Sequence, residues 1–162
     1  MSDPLSPEQR HRNMAAIHGK DTKPEVIVRK YLWRHGFRYR LNHYRLPGKP
    51  DIVLRSYRTC IFVNGCFWHG HTTTGDDGSE TPCRYFRMPH TNTEFWQAKI
   101  TRNRQRDTTV QQQLAVMGWH SITIWECQLK PSVREDTLRS LVYTLSRIYL
   151  QDRSLKAVPQ SV

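Results

Sequence analysis

The chain has 162 residues, with 25 Lys and Arg against 14 Asp and Glu and a formal charge of +11; this suits one compact domain facing a polyanionic partner and leaves no room for a second domain of similar size. No stretch approaches the roughly 18 apolar residues of a membrane span, and the start Met1-Ser2-Asp3-Pro4 has no basic segment leading into an apolar run, so a cytoplasmic protein with no membrane partner is expected. Four cysteines beside eight histidines then read as reduced thiols or metal ligands rather than disulfides.

Ser6-Pro7-Glu8-Gln9 supplies an N-cap, a first-turn proline and a capping-box partner, which predicts a short helix to about Ile17 carrying Arg10, Arg12 and Met14. Thr22-Lys23-Pro24-Glu25 starts a second, half-buried helix with Ile27, Val28, Tyr31 and Leu32 at helical spacing, stopped at Gly36. From Phe37 the period changes to two: Phe37, Tyr39 and Leu41 alternate with Arg38, Arg40 and Asn42, as in a strand with one solvated face. Pro47-Gly48-Lys49-Pro50 breaks it. Asp51 to Leu54 and Thr59 to Val63 are short apolar runs joined by Arg55-Ser56-Tyr57-Arg58, a hairpin deep in a sheet.

The next segment, Asn64-Gly65-Cys66-Phe67-Trp68-His69-Gly70-His71, concentrates groups that cores do not use together. Thr72 to Pro82 is small, polar and acidic and predicts an exposed, mobile loop. Thr91-Asn92-Thr93-Glu94 caps a long helix that Gly118 ends. Within it Trp96, Ile100, Asn103, Asp107, Val110, Leu114 and Met117 fall on one stripe, which turns two polar residues inward. Trp119 to Trp125 reads as a strand that delivers Glu126-Cys127 at its end, and Leu138, Leu141, Val142, Leu145 and Ile148 mark a final amphipathic helix before a polar tail. No internal repeat is present.

Five groups of residues are candidates for chemistry. Asp51 follows a proline at the start of a sheet strand, a turn preference taken alone; its position one hairpin from His69 is what suggests a metal ligand. With no acid or lysine in Phe62-Val63-Asn64, a Mg²⁺ ion there would use Asp51, a backbone carbonyl, waters and phosphate oxygens. Cys66, His71, Cys83 and Cys127 offer thiolates and an imidazole for a closed zinc site, with four residues between Cys66 and His71, while Cys60 sits in an apolar run as a small hydrophobe. The alternative is four unrelated thiols. Asp107, on a buried stripe, needs a donor. His69 would make it the orienting partner of a general base, whereas Arg38, Arg40 or Arg84 would make it an ordinary salt link. Glu25 has a ready explanation as the capping-box partner of Thr22, and Phe67-Trp68 is either a packing plug or a wedge for a base stack.

Arg12-Asn13-Met14, Leu46-Pro47-Gly48-Lys49-Pro50-Asp51, Gly65-Cys66-Phe67-Trp68-His69-Gly70-His71, Thr93-Glu94-Phe95-Trp96, Gly118-Trp119 and Trp125-Glu126-Cys127 together resemble the very short patch repair endonucleases over about residues 10 to 130. The resemblance implies an α/β fold, a restriction-endonuclease-like mixed β-sheet flanked by helices with a structural zinc site. It implies Mg²⁺-dependent nicking on the 5′ side of the thymine in a T·G mismatch, the product of 5-methylcytosine deamination. Asp51 is then similar to the Mg²⁺ ligand, Val63 to the residue whose carbonyl meets metal, His69 to the base, Asp107 to its partner and Glu25 to the holder of a metal-bound water. Cys66, His71, Cys83 and Cys127 match the structural zinc ligands; Met14, Phe67 and Trp68 match residues that open the helix at the mismatch.

Two departures stand out. Asn64 replaces a His near the scissile phosphate, and residues 72–82 separate His71 from Cys83 where the family has the two ligands almost adjacent. The expectation is a single endonuclease domain over 1–162, with a DNA-contacting helix over about 1–20, a nuclease core over about 21–130 and a C-terminal helix over about 131–152. It uses two Mg²⁺ ions and one Zn²⁺, acts as a monomer on mismatched double-stranded DNA and works beside other repair proteins. The alternatives are a similar endonuclease with another site or mismatch, and a zinc-stabilised DNA-binding module without catalysis.

Overall fold

The computed structural model describes residues 6–9 and 21–157. The Ser6 N–H donates to Gln9 Oε1 at 2.9 Å and the Gln9 N–H to Ser6 Oγ at 3.2 Å, a reciprocal capping box. The remainder of that expected helix, Met14 included, lies outside the described residues.

Helix α1 (Lys23–Arg34) begins after Thr22, with Pro24 in its first turn, and buries Val28 and Leu32. Its box is offset by one residue: Glu25 Oε2 accepts the N–H of Asp21 at 3.0 Å, while the Thr22 Oγ1 contact to the Glu25 N–H is long at 3.5 Å. Glu25 is therefore a buried carboxylate at a helix start, 5 % exposed. Beyond Gly36 the expected strand shrinks to β1 (Arg40–Leu41), both residues exposed. Phe37 is buried and Tyr39 packs on the core, but Leu41 is 40 % exposed, so the alternation fails at its last apolar position.

β2 (Ile52–Leu54) and β3 (Thr59–Asn64) form the expected antiparallel hairpin around a 3₁₀ turn at Arg55–Tyr57. β4 (Thr72–Thr74) and β5 (Glu80–Pro82) pair as a separate antiparallel ribbon. Residues 72–82 are thus exposed but carry a hairpin, where a structureless loop was expected. Pairing here needs no apolar face, because the turn closes itself: the Gly75 N–H donates to the Ser79 carbonyl at 2.8 Å, and Asp77 Oδ1 accepts from Ser79 N–H and Oγ.

α2 (Thr93–Val116) starts without the expected box, since Asn92 is left-handed at φ 53° and makes no side-chain cap; Thr93 Oγ1 instead donates to the Pro89 carbonyl. β6 (His120–Trp125) lies parallel to β3 over its whole length, from His120 opposite Thr59 to Trp125 opposite Asn64. A 3₁₀ turn (Glu126–Leu129) leads to α3 (Arg134–Ala157), longer at its end than the expected helix.

The four-stranded sheet runs β1-β2-β3-β6. One face, through Ile52, Leu54, Ile61 and Ile124, packs on Val28 and Leu32 of α1 and on Leu138, Leu141 and Leu145 of α3. The opposite face, through Val53 and Cys60, meets Val110 and Leu114 of α2. Period-two alternation in β2 thus feeds two cores, and each fully buried aliphatic side chain stabilises by about 1.5–3 kcal/mol. Among the described residues no helix is long and apolar enough to cross a membrane.

Candidate active site and metal centre

Parallel pairing of β3 and β6 brings their ends to one edge of the sheet, so residues 65–71 and Glu126-Cys127 leave from the same place. Asp51, immediately before β2, reaches across the hairpin: its Oδ2 accepts the Val63 N–H at 2.8 Å. Oδ1 has no hydrogen-bond partner among the described residues. Asp51 and Glu25 line a cleft of about 890 Å³ with Lys49, Val63, Asn64, His69, Arg106, Asp107 and Glu126. Burial, opposed by the Val63 hydrogen bond and reinforced by the nearby Glu25 carboxylate, raises the Asp51 pKa to about 6. A carboxyl raised by burial and a like charge is one that a bound cation would relieve.

α2 presents its two inward polar residues to consecutive positions of the 65–71 segment. Asn103 Nδ2 donates to the Trp68 carbonyl at 2.8 Å, and one turn later Asp107 Oδ2 accepts from His69 Nδ1 at 2.5 Å. The side chains of His69 and Asp107 are 21 % and 28 % exposed, dry enough to hold the pair and open enough to meet water. Arg38 is engaged elsewhere, over the Trp33 ring and on the Trp33 and Phe37 carbonyls. The imidazole is therefore the donor that Asp107 finds. With a proton on Nδ1, the His69 Nε2 lone pair is free.

Cys66, His71, Cys83 and Cys127 converge, their ligand atoms all within 4.8 Å of one another. Ligands about 2.3 Å from a tetrahedral zinc would lie roughly 3.8 Å apart, so the cluster needs only slight contraction to hold the ion. The ribbon explains how Cys83 arrives. Thr72 pairs with Pro82, which sets residues 71 and 83 side by side at its base, with the Cys83 N–H on the His71 carbonyl at 2.9 Å. Thus 11 intervening residues, 72–82, cost the site nothing in geometry. Burial lowers the His71 pKa, keeping the imidazole neutral as a ligand must be, and pushes the Cys127 thiol up to about 12. Cys60 is buried in β3 among apolar neighbours, apart from the cluster.

Gly70 separates the catalytic candidate His69 from the metal candidate His71. It stands at φ 57°, and a Cβ there would lie 2.6 Å from Ile100 Cγ2. Only glycine makes that turn against α2 without strain.

Phe67 and Trp68 are half-buried and packed on each other at 5.1 Å, in contact with further aromatics: Phe86 and Trp96 meet Phe67, and Trp96 also meets Trp68 and Phe95. Lys99 Nζ lies 5.3–5.9 Å from the rings of Trp68, Trp96 and Phe95. This is a basic aromatic surface beside the cleft.

The family model for DNA mismatch endonuclease Vsr matches residues 2–74. The type II nicking enzyme V.NmeAIP of Neisseria meningitidis is 45 % identical over 130 residues, covering 80 % of this chain and 86 % of that protein. The chain belongs to the Vsr family of DNA mismatch endonucleases. DNA mismatch endonuclease Vsr of Escherichia coli is 38 % identical over 130 residues, 80 % of this chain and 77 % of that one, and V.NaeI of Lentzea aerocolonigenes is 35 % identical over 144 residues, 86 % and 78 %.

In this Vsr-family chain the residues singled out in the sequence and described here fall into three adjoining groups: Glu25, Asp51, Val63, Asn64, His69 and Asp107 at the cleft; Cys66, His71, Cys83 and Cys127 in the metal cluster; Phe67 and Trp68 in the aromatic surface. Sequence reasoning missed Trp125, which stacks on His71 at 4.0 Å and 11° and meets His69 edge-on at 6.3 Å, tying the metal cluster to the cleft. It also left Trp96 on the core stripe and overlooked Lys99. The i, i+3 and i, i+4 spacing of Phe95, Trp96 and Lys99, a cation one turn from two aromatics, was the signal available.

Proposed function

We propose that this endonuclease nicks one strand on the 5′ side of the thymine in a T·G mismatch, initiating very short patch repair of deaminated 5-methylcytosine. The hydrogen bond from His69 to Asp107 at the wall of the cleft carries this reading. His69 Nε2 takes a proton from water as the oxygen attacks phosphorus; the bond from phosphorus to the 3′ oxygen breaks, leaving 3′-hydroxyl and 5′-phosphate ends. Asp107 holds the imidazole and stabilises its protonated form. Asp51, through Oδ1, and the Val63 carbonyl would hold Mg²⁺, with Glu25 on the attacking water. Two such ions would supply charge for the nucleophile and for the departing oxygen. Asn64 donates its amide to a phosphate oxygen, a positioning contact that transfers no proton.

The Cys66, His71, Cys83 and Cys127 cluster would hold Zn²⁺ and so fix the knuckle that carries Phe67, Trp68 and His69. Phe67 and Trp68 enter the loosened stack at the mispair, with Met14 approaching from the opposite groove. The names of the relatives, nicking enzymes and a mismatch endonuclease, support strand nicking over a catalytically silent module. The sheet with helices on both faces supports a restriction-endonuclease-like fold in one domain. We place the enzyme in the cytoplasm, as a monomer on mismatched duplex beside other repair proteins.

Single-turnover nicking of a T·G duplex at saturating Mg²⁺ tests the catalytic pair. His69→Ala should lose on the order of 10²-fold or more, as a removed general base does, and Asp107→Asn should fall in the same direction. Unchanged rates in both variants would remove His69 and Asp107 from the mechanism.

A further inference from the structure

A second concavity, about 710 Å³, lies outside the cleft, on the β1 and β2 side of the sheet. Arg40, His43, Tyr44, Arg45, Arg55 and Trp119 line it, and no carboxylate is among its lining residues. Arg40, Arg45 and Arg55 are exposed, and among the described residues none of the three pairs with an acid. Arg45 Nε instead donates to Tyr44 Oη at 3.2 Å, and Tyr44 is 71 % exposed. Three guanidinium groups with no acid beside them among the described residues make this groove a place for an anion. Arg58, nearby over the Trp119 ring, is different: it caps α2 through the Gly118 and Met117 carbonyls.

The groove and the cleft are lined by neighbouring stretches of one segment. Leu46 faces the groove, and two and three residues later Gly48 and Lys49 face the cleft. Arg40 stands opposite Val53 and Leu41 opposite Ile52, one residue from Asp51, so the groove lies near the active site on the sheet. Arginine's forked donors suit phosphate oxygens, and a duplex longer than the cleft reaches beyond it along its flanks.

We propose that this groove binds the sugar-phosphate backbone of the duplex flanking the cut site, with Arg40, Arg45 and Arg55 each meeting a phosphate. The proposal rests on the chain being a DNA endonuclease but not on which mismatch it cuts. The contacts position the duplex and carry no base readout, so they act on matched and mismatched DNA alike.

The test compares the salt dependence of binding for wild type and the triple variant Arg40→Gln, Arg45→Gln, Arg55→Gln. The probes are a T·G duplex of about 30 base pairs and one of about 10 with the mispair at the end nearest the groove, so that its backbone runs from the cleft away from Arg40, Arg45 and Arg55. On the long duplex the slope of log K against log salt should become shallower by roughly 2 to 3, because each lost phosphate contact removes about 0.9. On the short duplex it should not change, and Arg→Lys at the same three positions should restore the long-duplex slope. A wild-type slope in the glutamine variant on the long duplex overturns the proposal and would leave the groove to an acidic protein partner. An equal loss on both duplexes also overturns it, as an effect of net charge alone. A failure of T·G specificity would appear in nicking and leave these slopes interpretable.

Discussion

Asp51 shows how one side chain can trade stability for chemistry. Burial and Glu25 raise its pKa from 3.8 to about 6. A group whose folded pKa stands above its unfolded value contributes stability that is full below the unfolded pKa and is lost as pH rises through the folded one. Metal-free protein should therefore weaken between about pH 4 and pH 6, by on the order of 3 kcal/mol for a shift of this size. Asp51→Asn keeps an oxygen for the Val63 N–H and has no charge to bury. Thermal melts in chelator should show the variant more stable than wild type near neutral pH, and the difference vanishing toward pH 4. Equal melting temperatures at neutral pH would mean that the carboxylate is not strained without metal. This strain was invisible in the sequence, where Pro50-Asp51 reads as a turn; it appears only when the hairpin register places Val63 opposite and α1 brings Glu25 alongside.

Elements divide by how local their causes are. The α1 and β2–β3 segments were legible because caps, aliphatic runs and the Arg55–Arg58 turn act within a few residues. The 72–82 ribbon was not, because its Thr, Gly and Asp composition has no apolar period and its pairing is fixed by what stands at its ends, His71 and Cys83. If the ribbon is a spacer between ligands, replacing residues 73–81 by a two-residue Asn-Gly turn should leave one zinc per chain, whereas Cys83→Ala should lose it and lower the melting temperature. Metal analysis of both variants decides this, and Cys60→Ala, which leaves the cluster intact, should retain zinc. Full zinc in Cys83→Ala would exclude that thiol from the site. The aromatic surface is tested by Trp68→Ala in a zinc-loaded, folded protein. A wedge that exploits the weak stacking of a mispair predicts a smaller gap in affinity between T·G and T·A duplexes, with salt-dependent background binding intact. A core plug predicts a loss of roughly 3 to 5 kcal/mol in stability with discrimination unchanged.

At the scale of the whole molecule, the site depends on one non-local event, the parallel pairing of β3 with β6 across some 60 residues of intervening chain. It brings Cys127 to Cys66, sets Trp125 against both His69 and His71, and lets α2 lie across the sheet with Asp107 at His69. The stripe on α2 announced that two polar residues would turn inward, and spacing alone left His69 and three arginines as partners for Asp107. The fold chose between them, since the 65–71 segment passes that turn of the helix with the Trp68 carbonyl on Asn103 and His69 on Asp107. The net charge of +11 anticipated a polyanion but not where it lies. The central claim, that cleft, knuckle and aromatic surface work together as a mismatch nickase, is tested most directly by one assay. Purified protein is given T·G, T·A, C·G and other mismatched duplexes, labelled on either strand, with Mg²⁺ or with chelator. A single nick 5′ of the thymine in T·G alone is expected, with 3′-hydroxyl and 5′-phosphate ends, and no cleavage in chelator. Equal cutting of matched and mismatched duplexes, or cutting that persists without divalent metal, would contradict it.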